Sequence, residues 1–154
     1  MEKDIANPNR PKFVHLHTHS HYSLLDGLSK IEDLVKIAKD NGMPAMAITD
    51  HGNMYGAIEF YKLCKKEGIK PILGVEAYMT AGSRFDKNVE INNGKRYYHL
   101  ILLAKNLTGY KNIIKLVTLA NLEGYYYKPR VDKELLRQYS EGVIALSGCL
   151  GGEL

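Results

Sequence analysis

Four histidines occupy every second position of one short segment near the start of the sequence, namely His15, His17, His19 and His21. Aliphatic and hydroxyl residues separate them and Phe13-Val14 precedes them, a pattern typical of an extended strand. A purification tag, the simplest alternative, would carry contiguous histidines and a linker. Side chains two residues apart on a strand point to the same face, roughly 6 to 7 Å from one another. The segment therefore predicts one wall of a metal site.

Short apolar runs alternate with helical patterns through the rest of the chain. Strands are predicted at 13–17, 45–49, 71–79, 97–104 and 143–147. Helices are predicted from a capping box at Ser29 and Glu32 to near Gly42, at 54–67 before Gly68, at 109–122 behind a Thr108 cap, and at 132–139. Residues 1–12 are expected to form a flexible lead-in, and 81–96 the longest loop. The alternation indicates an α/β fold with a mostly parallel sheet, either open or curled toward a barrel.

Composition limits the class of protein. The 154 residues suffice for about one domain, and 45% of them are hydrophobic. The net charge of +4 comes from 21 basic and 17 acidic residues that are interspersed, so the sequence shows no continuous stripe for nucleic acid. The two cysteines, Cys64 and Cys149, form neither a disulfide framework nor a CxxC knuckle, which favours a reducing, cytoplasmic setting. No apolar run approaches 18 residues and no leader precedes Phe13, so neither a membrane span nor a signal peptide is predicted.

Candidate metal ligands accompany the predicted strands one after another. They are His17 and His19 at the first strand, Asp50-His51 after the second, Glu76 late in the third, His99 in the fourth and Cys149 after the fifth. In β/α barrels the functional site is built from the carboxyl ends of strands and the loops that follow them, so these side chains are expected to gather at one rim. Imidazole, carboxylate and thiolate together suit zinc best, with manganese or iron as alternatives.

Each candidate also has a purely structural interpretation. His51 could be a turn residue before a helix, and Cys149 a small buried residue. His99 could be a core histidine whose ring nitrogens have hydrogen-bond partners. Asp26 has the sequence context of a turn, and its place in the site depends on whether its loop returns to the rim. Glu76 is the sharpest candidate, because a carboxylate within an apolar run is costly to bury without a cation or a donor.

Six motifs follow one another in a specific order between residues 13 and 154. They are His15-Leu16-His17-Thr18-His19, Ser23-Leu24-Leu25-Asp26-Gly27, Ile48-Thr49-Asp50-His51-Gly52-Asn53, Gly74-Val75-Glu76-Ala77-Tyr78, Tyr98-His99-Leu100 and Ala145-Leu146-Ser147-Gly148-Cys149-Leu150-Gly151. In this order they closely resemble the PHP (polymerase and histidinol phosphatase) domain family, in the version that begins the alpha subunit of bacterial DNA polymerase III. The segment Tyr125-Tyr126-Tyr127-Lys128-Pro129-Arg130 also resembles the polymerase version rather than the phosphatase version.

The resemblance implies a distorted, TIM-like β/α barrel that holds up to three metal ions. The implied ligands are His17, His19, Asp26, His51, Glu76, His99 and Cys149. Asp50 is implied to lie behind the ligands. His15 and His21, the latter outside the usual ligand set, are expected either behind the ligands or in solvent. The family's last motif, an Asp and His pair, has no counterpart before Leu154. Residues 13–154 are therefore expected to be the N-terminal part of a PHP domain, with an incomplete barrel and an exposed strand edge.

The chemistry that the resemblance implies is hydrolysis of phosphodiester bonds, with a metal-bound water as nucleophile and no separate catalytic side chain. In a complete DNA-directed DNA polymerase of the DnaE type, it would remove misincorporated nucleotides from the 3′ end of a primer, alongside other replicase subunits. Lys128 and Arg130 are candidates for contacts to DNA phosphates, although a structural role is an equal alternative. The chain by itself is expected to be inactive.

Two other functions stay open at this stage. One is a non-catalytic PHP module that braces the polymerase and docks a separate proofreading subunit. The other is a free-standing PHP phosphoesterase that acts on a small phosphate ester.

Overall fold

The structure, a computed structural model, describes residues 13–88 and 97–153. The predicted lead-in at 1–12 and the second half of the predicted loop at 81–96 lie outside the described residues. The elements follow in the order α1 (Ile31–Asp40), β1 (Ala45–Ile48), α2 (Ala57–Glu67), β2 (Lys70–Met79), β3 (Tyr98–Ala104), α3 (Leu107–Leu122), β4 (Tyr125–Tyr126), β5 (Lys128–Val131), α4 (Lys133–Gln138) and β6 (Val143–Leu146). The predicted α/β class is confirmed.

The sheet is mixed, so the prediction of a mostly parallel sheet is wrong. The long strand β2 pairs in parallel with β1 along its first half and in parallel with β5 at its end. On its other side β2 pairs with β3 in antiparallel register, with Glu76 opposite Ile101. β6 is in turn antiparallel to β3. No helix is described between β2 and β3, and a parallel pair needs a long crossover, usually helical, so the chain returns in the opposite direction.

The histidine segment does not form a regular strand, contrary to the prediction for 13–17. It nevertheless lies alongside β1, because the amide of Ala47 donates to the carbonyl of His15 and the amide of Thr49 to that of Thr18, both at 2.8 Å. Between these two hydrogen bonds the histidine segment spans three residues, from His15 to Thr18, whereas the chain that continues β1 spans two, from Ala47 to Thr49. This unequal spacing resembles a bulge, and it interrupts a regular ladder while keeping the segment extended beside the sheet.

Helix positions agree with the prediction better than their caps do. α1 begins after Lys30 without a side-chain cap, so the predicted Ser29 and Glu32 capping box is wrong. α3 is capped by Asn106, whose side chain accepts from the amide of Gly109, and the predicted Thr108 cap is wrong. α2 ends as predicted at Gly68, which adopts the left-handed conformation with φ 76° that favours glycine.

The two faces of β2 carry different side chains. Val75, Ala77 and Met79 point into a core cluster shared with α3 and α4. Successive residues of a strand point to opposite faces, so Glu76 points away from that cluster. Across the sheet, Ile101 and Leu103 of β3 pack with Ala47 in a separate cluster. α1 and α2 pack with β1 in a further cluster around Ile31 and Phe60.

Within the described ranges, no helix combines the length and the apolar character that crossing a lipid bilayer requires.

Candidate metal centre

Glu76 is the centre of the candidate site, and only 1% of its surface is exposed. Its carboxylate oxygen Oε2 lies 2.7 Å from Nε2 of His17 and 2.9 Å from Nε2 of His19. The other oxygen, Oε1, lies 2.5 Å from Nδ1 of His99. Nδ1 of His51 is 3.7 Å from Oε2, beyond hydrogen-bonding distance. Four imidazoles therefore surround one buried carboxylate.

The bulged histidine segment brings His17 and His19 to this carboxylate. Their Nε2 atoms are 3.1 Å apart, and their rings meet edge to face with centroids 4.9 Å apart. The predicted convergence of alternate imidazoles is therefore found at these two positions. On its other side, the ring of His19 stacks on that of His51 at a centroid distance of 4.2 Å.

Backbone pairing fixes the position of His51. The amide of Glu76 donates to the carbonyl of Asp50 at 3.0 Å, and the amide of Gly52 donates to the carbonyl of Glu76 at 2.9 Å. His51 thereby continues the line of β1 beside β2. Nε2 of His51 lies 3.1 Å from a carboxylate oxygen of Asp26, so the loop that carries Asp26 does return to the rim.

His99 and Cys149 complete the site from β3 and from the turn after β6. The Cys149 sulfur lies 3.6 Å from Nδ1 of His99 and accepts a hydrogen bond from the amide of Gly151 at 3.3 Å. The amide of His99 donates to the carbonyl of Gly151 at 2.9 Å. These contacts hold the turn after β6 against β3.

All seven residues predicted as ligands come together in three overlapping groups, within each of which the donor atoms lie no more than 4.8 Å apart. The groups are His17, His19 and Glu76; His19, Asp26 and His51; and Glu76, His99 and Cys149. His19 and Glu76 each belong to two groups.

The donors fit divalent metal ions. The set contains only imidazole, carboxylate and thiolate groups, which are the usual ligands of zinc. Nδ1 of His51 is buried and has no hydrogen-bond partner among the described residues, which leaves it available to an ion. A buried polar atom without a partner is costly, and coordination would remove that cost.

The pKa values of Glu76, His19, His51 and His99 are shifted by burial and by their contacts with one another. Burial by itself would raise the pKa of Glu76, but hydrogen bonds from His19, His99 and His17 outweigh it and hold that pKa well below its usual range. The hydrogen bond to Glu76 is the main reason that the pKa of His99 is raised. Burial lowers the pKa of His51. For His19, burial acts in the same direction, but the contacts with Glu76 prevail and its pKa is raised.

A buried polar network lies behind the histidines. The carboxylate of Asp50, which is 2% exposed, accepts from the amide and hydroxyl of Ser20 at 2.7 and 2.8 Å and from the hydroxyl of Ser23 at 2.7 Å. Ser23 Oγ also lies 3.4 Å from Nδ1 of His19. Asp50 therefore lies behind His19 and reaches it through a serine.

Sequence reasoning missed Ser20 and Ser23. Both are essentially fully buried. The available signal was that Ser20 directly follows the first motif and Ser23 begins the second, but a serine near histidines is common on exposed surfaces as well.

His15 does not reach the donors and is exposed, so of its two predicted positions the one behind the ligands is wrong and the one in solvent is found. Its exposed ring meets only the ring of Phe13 among the described aromatic contacts, at 4.7 Å. The unequal spacing beside β1 explains why the stripe does not continue to this residue. His21 is also outside the cluster, where its ring packs on Tyr22 at 4.3 Å.

Arg130 is removed as a candidate for phosphate contact. It is completely buried, and its guanidinium donates to the backbone carbonyls of Gly124 and Arg84 at 3.1 and 3.0 Å. Lys128 is exposed, and its Nζ lies 5.5 Å from the ring centroid of Tyr78. That ring is parallel to the ring of His51 at 5.7 Å, so Lys128 lies near the candidate centre.

Comparison with known proteins agrees with the motifs. The family model described as the PHP domain matches residues 15–154. The DNA polymerase III subunit alpha of Treponema pallidum is 59% identical over 145 residues, which cover 94% of this chain and 12% of the relative. The corresponding subunit of Aquifex aeolicus is 58% identical over 91% of this chain, and that of Thermus aquaticus is 53% identical over 93%, each match covering 12% of the relative. The chain thus spans about an eighth of the length of these curated relatives.

Similarity to solved structures is lower. An amidohydrolase from Chromobacterium violaceum is 20% identical with a TM-score of 0.47, over 67% of this chain and 32% of that one. A protein from Bifidobacterium adolescentis, described as a metal-dependent phosphoesterase, is 20% identical with a TM-score of 0.45, over 71% and 32%.

Proposed function

The chain belongs to the PHP domain family, and from that membership we propose that it is the PHP part of a bacterial replicative DNA polymerase III alpha subunit, with a metal centre that hydrolyses phosphodiester bonds. The similarity to alpha subunits over more than nine tenths of the chain supports the parent protein. That parent would be a DNA-directed DNA polymerase that works in the cytoplasm with other replicase subunits.

The observation that carries the hydrolytic proposal is the convergence of seven donors in three overlapping groups around the buried Glu76. Zinc suits this mixture of nitrogen, oxygen and sulfur best. Manganese or iron would fit the groups without the cysteine. His17 and Glu76 would hold one ion, His51 and Asp26 a second, and His99 and Cys149 would share Glu76 for a third. His19 lies in both of the first two groups, and its one free lone pair would serve one of those two ions.

The residues of this chain prepare the site for phosphodiester cleavage. When bound, closely spaced divalent ions supply Lewis acidity toward a phosphate oxygen and lower the pKa of a water molecule. Glu76 orients the imidazoles, and the ring of Tyr78 beside His51 and His99 excludes solvent from one side. Lys128, exposed near that ring, would contact a backbone phosphate.

The substrate we propose is the 3′ end of a DNA primer that carries a misincorporated nucleotide. Full-length protein should bind two or three metal ions and release nucleoside monophosphates from a mismatched primer. The assay is run without deoxynucleoside triphosphates and without pyrophosphate, so that neither extension nor reversal of polymerisation contributes to the product.

The test compares two double variants from the same segment. His17→Ala with His19→Ala should abolish trimming and lower the metal content while extension of a matched primer continues. His15→Ala with His21→Ala, which alters imidazoles outside the donor groups, should trim as the wild type does. Trimming that survives the first pair would sink the proposal. Metal binding without any trimming would instead favour a PHP module that braces the polymerase and docks a proofreading subunit.

A further inference from the structure

We propose that Ser23 is a positioning residue for the metal centre, which fixes the ring of His19 and the backbone of His51 through its hydroxyl group. This inference rests on the metal centre proposed above. It names a residue that is not itself a donor, and it predicts which of the three donor groups depends on that residue.

The Ser23 hydroxyl oxygen has three polar neighbours. It lies 2.7 Å from a carboxylate oxygen of Asp50, 3.1 Å from the backbone nitrogen of His51 and 3.4 Å from Nδ1 of His19. Ser23 is 1% exposed, so water contributes little to this arrangement. Three elements thus meet at one oxygen: the histidine segment, the end of β1 and the turn that carries Asp26.

The direction of each hydrogen bond follows from the available hydrogens. A serine hydroxyl has one hydrogen and two lone pairs. The carboxylate of Asp50 can only accept, so the hydrogen of Ser23 points toward it. The amide of His51 can only donate, and it therefore occupies one lone pair of the oxygen. The second lone pair is left to accept from Nδ1 of His19, a contact that is long at 3.4 Å.

This arrangement assigns the hydrogen of His19 to Nδ1. The other ring nitrogen, Nε2, lies among the donors, 2.9 Å from Glu76 and 3.1 Å from Nε2 of His17. With Nδ1 protonated, an ion would bind at Nε2 in place of the hydrogen that this nitrogen donates to Glu76. The hydrogen bond of one imidazole nitrogen commonly sets which nitrogen binds the metal, and Ser23 supplies that bond here.

The backbone of Ser23 holds the third member of the same group. Its carbonyl accepts from the amides of Asp26 at 3.1 Å and Gly27 at 2.8 Å, which closes the turn that carries the Asp26 carboxylate. The turn is tight, because a Cβ atom at Gly27 would lie 2.0 Å from the carbonyl oxygen of Ser20. Ser23 therefore contacts every member of the group formed by His19, Asp26 and His51.

Ser20 offers a matched control. It is also buried, at 0% exposure, and its hydroxyl also donates to Asp50, at 2.8 Å. Its other side-chain contact accepts from the amide of Tyr22 at 3.1 Å, and none of its described side-chain contacts reaches a donor residue. Loss of either hydroxyl perturbs the same carboxylate, but only Ser23 reaches the histidines.

The experiment titrates metal-free full-length protein with cobalt and follows its visible absorption. Cobalt reports coordination geometry through its visible bands, and a thiolate ligand adds a separate ultraviolet band. That band isolates the group containing Cys149 from the groups containing His19. In Ser23→Ala we expect the groups containing His19 to lose affinity by about 10- to 100-fold, as is typical when a partner behind a metal ligand is removed. The thiolate band should form at the wild-type cobalt concentration.

Two further variants make the result decisive. Ser23→Thr keeps the hydroxyl and should restore the affinity, whereas Ser20→Ala should weaken the groups containing His19 less than Ser23→Ala does. If Ser23→Ala bound cobalt with wild-type affinity, or if Ser20→Ala lost as much cobalt affinity as Ser23→Ala, the role of Ser23 would be overturned while the metal centre remained intact. Absence of cobalt binding by the wild type would refute the metal centre itself, and the role of Ser23 with it.

Discussion

At Glu76, a carboxylate with 1% of its surface exposed lies within 2.9 Å of nitrogen atoms of three imidazoles. Such a group is tolerated in the interior because charged hydrogen bonds, or a cation, replace the water that it loses. Glu76→Gln keeps the size but removes the charge, and we expect full-length protein to lose at least one bound metal ion. Metal content after dialysis gives the measurement. Glu32→Gln, an exposed change on α1, is the control and should leave the metal content unaltered.

The two cysteines should differ in reactivity. Cys64 is completely buried, and burial raises the pKa of its thiol to about 11, so at pH 8 only about one molecule in a thousand carries the reactive thiolate. Cys149 is exposed. Metal-free protein should therefore be alkylated by iodoacetamide at Cys149 and not at Cys64, and bound zinc should protect Cys149.

Peptide mass spectrometry with and without a chelator measures this difference. Cys64 serves as the internal control, since its labelling would reveal unfolding. If zinc gave no protection to Cys149 in protein that retains the metal, Cys149 would not be a ligand.

The sequence predicted which side chains meet at the site but not how they are supported. Six of the seven donors were identified because reactive residues beside successive strands were expected to share one rim, and Asp26 was added by the resemblance to the family. Ser23 was missed because its role depends on the carboxylate of Asp50 and the backbone amide of His51, both distant in the sequence, as well as on His19. Arg130 was assigned to the surface because the backbone carbonyls that accept from its guanidinium leave no trace in the sequence.

At the scale of elements, α4 depends on Asp132, which is 3% exposed. Its carboxylate accepts from the amide of Leu135 at 2.9 Å as the N-cap of α4, and it also binds the amide and guanidinium of Arg84. Asp132→Ala removes the cap and leaves Arg84 with one partner fewer. We expect α4 to lose about 1–3 kcal/mol of local stability, which corresponds to about 5- to 150-fold faster amide exchange.

Hydrogen–deuterium exchange of peptides that contain Lys133–Gln138 measures this loss in full-length protein. The control is Asp40→Ala, which breaks an exposed ion pair with Lys36 on α1. It should change the local stability of α1 that exchange reports by less than about 1 kcal/mol. Equal effects of the two substitutions would contradict the importance assigned to the buried cap.

The same carboxylate predicts a pH dependence. Burial alone would raise the pKa of Asp132, but hydrogen bonds from the amides of Arg84 and Leu135 and from the Arg84 guanidinium outweigh it and lower that pKa. A carboxyl group whose pKa is lowered on folding stabilises the folded state above its unfolded pKa, and this contribution is lost as the pH falls through the folded pKa. Protection factors of α4 should therefore decline below about pH 4. Asp132→Asn can still cap the helix, and it should lack this decline.

At the scale of the whole molecule, apolar periodicity located the main strands but not their directions. β2 and β3 were expected to be parallel members of one sheet, yet their described connection contains no helix and they pair in antiparallel register. Periodicity reports which residues face a core, and it is the same for both directions of a strand. β4 and β5 were missed because they are only two and four residues long and include a proline, Pro129.

A large apolar groove lies apart from the metal centre. It has a volume of about 660 Å³, and none of the seven donors lines it. Leu16, Ile58 and Ile144 contribute exposed apolar surface to it. β6 carries Ile144 and pairs only with β3 among the described strands, so its other edge keeps backbone groups available for pairing. An open strand edge beside apolar surface favours association with other chains.

We therefore predict that the 154-residue chain, expressed alone, self-associates and binds an apolar fluorescent dye. Ile144→Lys places a charge on the edge strand within the groove, and it should shift the chain toward monomer and reduce dye fluorescence. Leu122→Lys is the matched control, because Leu122 is 77% exposed on α3 but does not line the groove. Light scattering after size-exclusion chromatography measures the mass. A monomeric wild-type chain that binds no dye would show that the groove and the β6 edge do not drive association, and an equal improvement from both lysines would trace the effect to net charge.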